Sequence, residues 1–389
     1  MSLEHWLWLA HRPGCSALTV DRLLLEFGSP EAVWEAGRSQ LRELEWLRQS
    51  AVDSLVSKHL ENAQHTLEYC ASKGIAVVTL ADEQYPDRLK NIPDPPPVLY
   101  VRGRLPASEK LAIGMVGTRK SSEYGMRVTR WLSANLAKSD CVIVSGMALG
   151  IDGMANRAAL EYGGETIAVL GSGVDVCYPA EHEELMQRII VHGAVISEFQ
   201  PGSAPNAHNF PVRNRIISGL SAGVVIVEAP KRSGSLITAD CALEQGRDVF
   251  AVPGNLHVKN SEGTNDLIRQ GAAALVTCAQ DILECYRGVA VQKTRTASPE
   301  PPSRRRRERP EPELTQVRIP EAKVEKLKQP MFSLGAEEQR VLDAVRAGAG
   351  SMDAAAEATG FSAAQVLGIV TVLEMNDLVE RDGSRLRAL

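Results

Sequence analysis

The chain has 389 residues, 44% of them apolar and 23% charged, with a formal net charge of −5. The length supports about two to four domains, the composition is that of a soluble globular protein, and the slightly acidic balance excludes a general basic field. A nucleic-acid site would therefore have to be a local basic patch.

The seven cysteines contain no C-x-x-C pair and mostly sit inside apolar patterns, so they are expected to be reduced core thiols of a cytoplasmic protein. The Met1-Ser2-Leu3-Glu4 start carries no signal-peptide pattern, and no apolar run approaches the ~18 residues of a membrane helix.

From Leu3 to about Lys73 the apolar spacing is helical, as in Val20, Leu23, Leu24 and Phe27, and Ser29-Pro30-Glu31 supplies a cap, a first-turn proline and a first-turn acid. This predicts a small helical domain over 1–73, of sterile-alpha-motif or helix-hairpin-helix type. The Pro13-Gly14-Cys15-Ser16 turn is similar to the DNA-backbone loop of a helix-hairpin-helix, with Ser16 in place of the second glycine. Helix packing is the simpler reading of that turn.

Short β-branched runs then alternate with helical patterns over 74–290: Ile75 to Leu80, Leu111 to Val116, Cys141 to Ser145, Thr166 to Leu170, Ala194 to Ser197, Gly223 to Val227, Arg247 to Val252 and Ala273 to Val276. Such alternation predicts an α/β fold, a Rossmann-like, mostly parallel sheet covered by helices. Residues 291–331 are rich in proline and charge, include Arg304 to Arg307, and read as a disordered tether whose arginines are solvated.

The remainder, 332–389, reads as a winged-helix domain: helices over Ala336 to Val345, Met352 to Thr359 and Ser362 to Met375, then two short strands around Asp382-Gly383. Its candidate recognition helix has no lysine or arginine and carries Glu374. Protein contact suits it better than insertion into a major groove.

Five glycine-punctuated segments follow apolar strands, and no residue set for covalent chemistry surrounds them. In the first, Gly117 and Thr118 precede Arg119 and Lys120; the glycine would let backbone N–H groups approach a phosphate and Arg119 could grip it bidentately, unless the arginine is salt-bridged within the fold. In the second, Ser145-Gly146 and Gly150-Ile151-Asp152 open a helix whose positive end suits an anion, or else Asp152 caps it.

The third, Gly171-Ser172-Gly173, lacks the final glycine of a dinucleotide fingerprint, and its Tyr178-Pro179 is expected to shape a groove wall. In the fourth, Phe210 precedes Arg213, Asn214 and Arg215, an aromatic beside cations that suits bases stacking on a ring and phosphates on guanidinium groups. A core plug at Phe210 and an internal ion pair at Arg215 are the alternatives. The fifth, Ser233-Gly234-Ser235 with Thr238, is a turn with hydroxyl donors at a helix start. It lacks both a Walker lysine and a nucleophile elbow.

Taken in order, these segments closely resemble the DNA-processing protein A (DprA/Smf) family, most strongly from about Leu111 to Thr277. The resemblance implies a sequence-independent single-stranded DNA-binding protein, not an enzyme, that protects incoming strands and loads the RecA recombinase in natural transformation. It also implies a homodimer, competition with single-strand-binding protein, and no metal or cofactor. Asn156 stands where the family commonly has histidine, Ala180 and Ala207 where many members have a basic residue, and His182 where asparagine is frequent.

The alternative is a nucleotide-processing phosphoribohydrolase of the lysine-decarboxylase-like class. Its P-G-G-x-G-T-x-x-E loop corresponds here to Lys231 to Thr238, without the paired glycines and with Glu244 too far along. A winged-helix transcription regulator is a third class, disfavoured by the uncharged recognition helix.

Overall fold

The computed structural model describes residues 2–287, 335–375, 378–382 and 385–388. The tether expected over 291–331, with its arginine run, lies outside the described residues. Among those described, no helix is long and apolar enough to cross a membrane.

Six helices form the N-terminal part: Leu3–Ala10, Ala17–Phe27, Pro30–Glu35, Arg38–Glu43, Gln49–Val56 and Glu61–Lys73. Ser16 and Ser29 accept hydrogen bonds from the N–H groups of Thr19 and Ala32 and so cap the second and third helices, with Pro30 in the first turn of the latter. Leu7, Leu9, Leu23, Val33, Leu41 and Leu55 fill the core between them. That core also takes in Val98, Tyr100 and Val174, so these helices share one apolar interior with the sheet.

Nine strands make one sheet: β1 Ala76–Thr79, β2 Val98–Gly103, β3 Ala112–Val116, β4 Val142–Ser145, β5 Thr166–Val169, β6 Gly193–Ser197, β7 Gly223–Ile226, β8 Asp248–Ala251 and β9 Ala274–Leu275. Their spatial order is β1-β2-β6-β5-β4-β3-β7-β8-β9. The pairs β1–β2 and β2–β6 are antiparallel and the other six are parallel. Eight strands match the expected runs to within one or two residues. β2 was not anticipated, because its Val-Leu-Tyr-Val run follows the prolines of 93–97 and shows no alternation.

All residues of β3, β4, β5, β6 and β7 are buried, as expected for a sheet with helices on both faces. From β3 the chain moves outward through β4, β5 and β6, then returns to the other side of β3 for β7, β8 and β9. The loops after β3 and β7 therefore diverge and open a crevice at the switch point, beyond the carboxyl ends of the strands.

The C-terminal domain has helices Ala336–Arg346, Met352–Thr359 and Ala363–Met375 and an antiparallel pair, β10 Val379–Asp382 and β11 Arg385–Ala388. It has a core of its own, with Val341, Leu342, Val366, Val370, Leu373 and Leu386 buried. This is the expected winged-helix pattern.

Candidate nucleic-acid interface

The loop after β3 is built around a buried carboxylate. Asp152 accepts a hydrogen bond from the Gly146 N–H at 3.1 Å and a longer one from the Gly117 N–H at 3.4 Å. Two of the amides expected to cradle a phosphate thus point at an anion that the chain itself supplies. Burial pushes the Asp152 carboxyl above its ordinary range, opposed chiefly by the Arg213 charge and the Gly117 donor.

The glycines are explained by the same packing. A Cβ on Gly117 would sit 2.6 Å from the Ile151 side chain, and one on Gly146 would run into the Arg213 guanidinium. Gly150, with φ 75°, precedes helix Ile151–Glu161, so Asp152 is not its cap. Ser145 is fully buried and donates to the Met115 carbonyl at 2.6 Å. Ser145, Gly117, Gly146 and Gly150 thus shape the loop through contacts within the chain.

The arginines of helix Asn209–Leu220 are also internal. Arg213 is buried and donates to the carbonyls of Gly146, at 2.9 Å, and Val169. Arg215 grips Glu198 with both terminal nitrogens, at 3.1 and 2.7 Å, and Asp94 through Nε at 2.8 Å. Both guanidinium groups brace the fold from within. Asn214 donates to the Gly234 carbonyl at 3.1 Å and ties this helix to the fifth segment.

That segment is a helix cap. Ser233 precedes helix Gly234–Glu244, and its hydroxyl accepts from the Ser235 N–H at 3.4 Å and shares a hydrogen bond with the Ser235 hydroxyl at 2.8 Å. Ser235 and Thr238 are buried, whereas Lys231 and Arg232, just before the turn, are exposed.

Lys120 is exposed and Arg119 and Tyr178 are half-buried around the buried Phe210 ring. The Arg119 guanidinium lies over the Phe210 ring, 5.0 Å from its centroid, with the Arg213 guanidinium at 5.8 Å and the Tyr178 ring at 5.6 Å. Phe210 is 8% exposed, and a Cβ on Gly171 would lie 2.8 Å from its ring. The ring is wedged against Gly171 and carries the Arg119 guanidinium on its face. Beside it opens a cavity of about 240 Å³ lined by Arg119, Ala148, Leu149, Tyr178, Pro179 and Ala180, among others.

Thr118 is buried, donates its N–H to the Glu228 carbonyl at 2.8 Å and accepts the Lys120 N–H on its hydroxyl at 3.2 Å, leaving Lys120 exposed. Sequence reasoning missed Glu228. Its buried carboxylate accepts from the Ser122 N–H at 2.9 Å and from the Ser122 hydroxyl, locking the far end of the loop to β7. A lone acid ending an apolar strand was the available signal.

Two of the departures from the family pattern fall inside the fold. Asn156 is buried and donates to the Thr166 hydroxyl at 2.7 Å, and the His182 ring covers Gly153 while its Nδ1 lies 2.9 Å from the Met147 carbonyl. Ala180 lines the cavity and Ala207 is half-buried before helix Asn209–Leu220. Among the described residues no three His, Cys, Asp or Glu side chains group as metal ligands.

A doubly wound parallel sheet with a cation-bearing loop at its switch point, followed by a winged helix, defines a Rossmann-like α/β protein of two folding units. The family model described as "DNA recombination-mediator protein A" matches residues 76–287, and that of the "DprA winged helix domain" matches residues 325–383. The chain belongs to the DNA recombination-mediator protein A family.

Among relatives, the protein Smf of Synechocystis is 39% identical over 278 residues, covering 70% of each chain. The DNA processing protein DprA of Bacillus subtilis is 41% identical over 239 residues, 61% of this chain and 80% of its own. Among solved structures, DNA processing protein A from Streptococcus pneumoniae superposes with a TM-score of 0.64 at 34% identity, over 73% of this chain and 98% of its own.

Proposed function

We propose that this chain is a recombination mediator that binds single-stranded DNA without sequence preference, as its family membership implies. The observation that carries the reading is the Arg119 guanidinium held on the Phe210 ring, with Lys120 exposed beside it, at the switch point of the sheet. A planar fork fixed in this way is oriented to take two oxygens of one phosphate, and Lys120 adds a point charge to the next. Contacts of this kind go to the backbone and carry no sequence information.

The finer parts of the proposal are a cytoplasmic homodimer that protects incoming strands, displaces single-strand-binding protein and hands the strand to RecA without catalysing a reaction. The test is RecA strand exchange on single strands pre-coated with single-strand-binding protein, run with wild type and Arg119→Ala. Relief of the block by wild type alone is expected. A wild-type protein that binds the strand and leaves the block in place would sink the handover.

A further inference from the structure

The N-terminal helices gather cations around one indole, and among the described residues no carboxylate pairs with them. The Lys58 amine and the Arg12 guanidinium each lie 5.1 Å from the Trp8 ring centroid, and Lys58 is 5.6 Å from that of Trp34. Every hydrogen bond that these two cations make ends on a carbonyl. Arg12 donates to Trp8 at 3.1 Å, Ser54 at 3.4 Å and Ser57 at 3.1 Å, and Lys58 donates to Val33 at 3.3 Å. Among the described residues neither has a carboxylate oxygen within 4.0 Å.

The two charges disfavour each other. Burial, and then the Arg12 charge, lower the Lys58 amine to about 8 and the neighbouring His11 ring to about 4. His11 is thereby left neutral, within 2.8 Å of the Tyr100 hydroxyl. Like charges that share a partly desolvated site raise the free energy of the fold unless an anion joins them. Beside them, at the seam with the loop after β6, lies a cavity of about 380 Å³ lined by Trp8, His11, Arg12, Asn62, His65 and Gln200, among others.

We infer that this seam cavity is a second anion site, distinct from the Arg119 loop, and that it takes a phosphate monoester. Arg12 would make the charge-assisted hydrogen bonds, the Asn62 and Gln200 amides would complete the shell, and Lys58 would add positive potential across Trp8. A monoester is favoured over a carboxylate because it carries about −1.5 to −2 charges at neutral pH, which matches two cations, and because the cavity has room for more than the phosphate. The same chemistry has two sources, a free nucleoside monophosphate and the 5′-phosphate end of a DNA strand.

Lys58 is the reporter for the test. At pH 8 about half of its amine is unprotonated, and an anion that raises its pKa by about one unit lowers that fraction, and hence its acetylation rate, by about fivefold. The full chain is labelled with acetic anhydride alone, with adenosine monophosphate, and with one short oligonucleotide prepared with and without a 5′-phosphate. On the proposed function both oligonucleotides engage the Arg119 loop equally, so their difference isolates the seam site.

Protection by the monophosphate, or by the phosphorylated oligonucleotide alone, supports the site and names its source. Arg12→Gln should abolish that protection. Asn62→Ala and His65→Ala, on the exposed face of their helix, should weaken it in a folded protein. No protection by either phosphorylated probe, equal protection by both oligonucleotides with none by the monophosphate, or protection unchanged in all three variants overturns the inference.

Discussion

Substituting Phe210 separates two ways in which an aromatic can serve a DNA-binding loop. A ring on which bases stack contributes about 1 to 3 kcal/mol directly, whereas a ring that orients a guanidinium acts only through that guanidinium. The structure favours the second, because Phe210 is buried and Arg119 sits over it at 5.0 Å. Phe210→Leu is the informative change, since Phe210→Ala would cost about 3 to 5 kcal/mol of folding free energy and blur the result. A cation–π contact of this exposure is worth about 0.5 to 2 kcal/mol, or about a twofold to thirtyfold change in affinity.

The assay is fluorescence anisotropy with a short single strand for wild type, Phe210→Leu, Arg119→Ala and the double variant. If Phe210 works through Arg119, Phe210→Leu weakens binding in the wild-type background and has little effect once Arg119 is gone, leaving a coupling energy of about 0.5 to 2 kcal/mol. Equal losses in both backgrounds would mean that the ring meets the bases directly, and the platform account would fail.

Truncating Arg215 to Ala leaves the largely enclosed Glu198 carboxylate, 14% exposed, unpaired, so urea denaturation should show a loss of about 3 kcal/mol, with an unchanged salt dependence of DNA binding; an altered slope would place Arg215 in the phosphate track. Because the Asp152 carboxyl is held above its ordinary range, the folded state binds its proton more tightly than the unfolded state, and this contribution to stability is lost as pH rises from about 4 through the folded value. Asp152→Asn should remove that decline from the stability–pH curve, and identical curves would refute the burial argument. A chain ending at Arg287 should keep single-strand affinity to within about tenfold, roughly 1.4 kcal/mol, because the loop and its supports all precede that point.

Periodicity made the architecture legible. Strands buried on both faces read as apolar runs, and the Ser29 cap marked its helix, whereas the Ser16 cap went unread. The site was less legible, because sequence gives no sign of which partner a charge will meet. Arg215 finds Glu198 and Asp94 from 17 and 121 residues away, and the Arg213-Asn214-Arg215 pattern looks the same whether its arginines face a groove or the interior. The glycines are ambiguous for a related reason. A missing side chain signals close approach, and here what approaches is Ile151, Arg213 or Phe210 of the same chain. Arg119 and Lys120 stand out as candidates because they lie in one short loop directly after a strand.

The most direct test is a salt-titrated comparison of single-strand and duplex binding by wild type and Arg119→Ala. The account predicts tighter binding of the single strand, of mixed sequence, and a slope of log affinity against log salt that flattens by about 0.7 when Arg119 is removed. Duplex bound as tightly as single strand, or an unchanged slope in the variant, would contradict it.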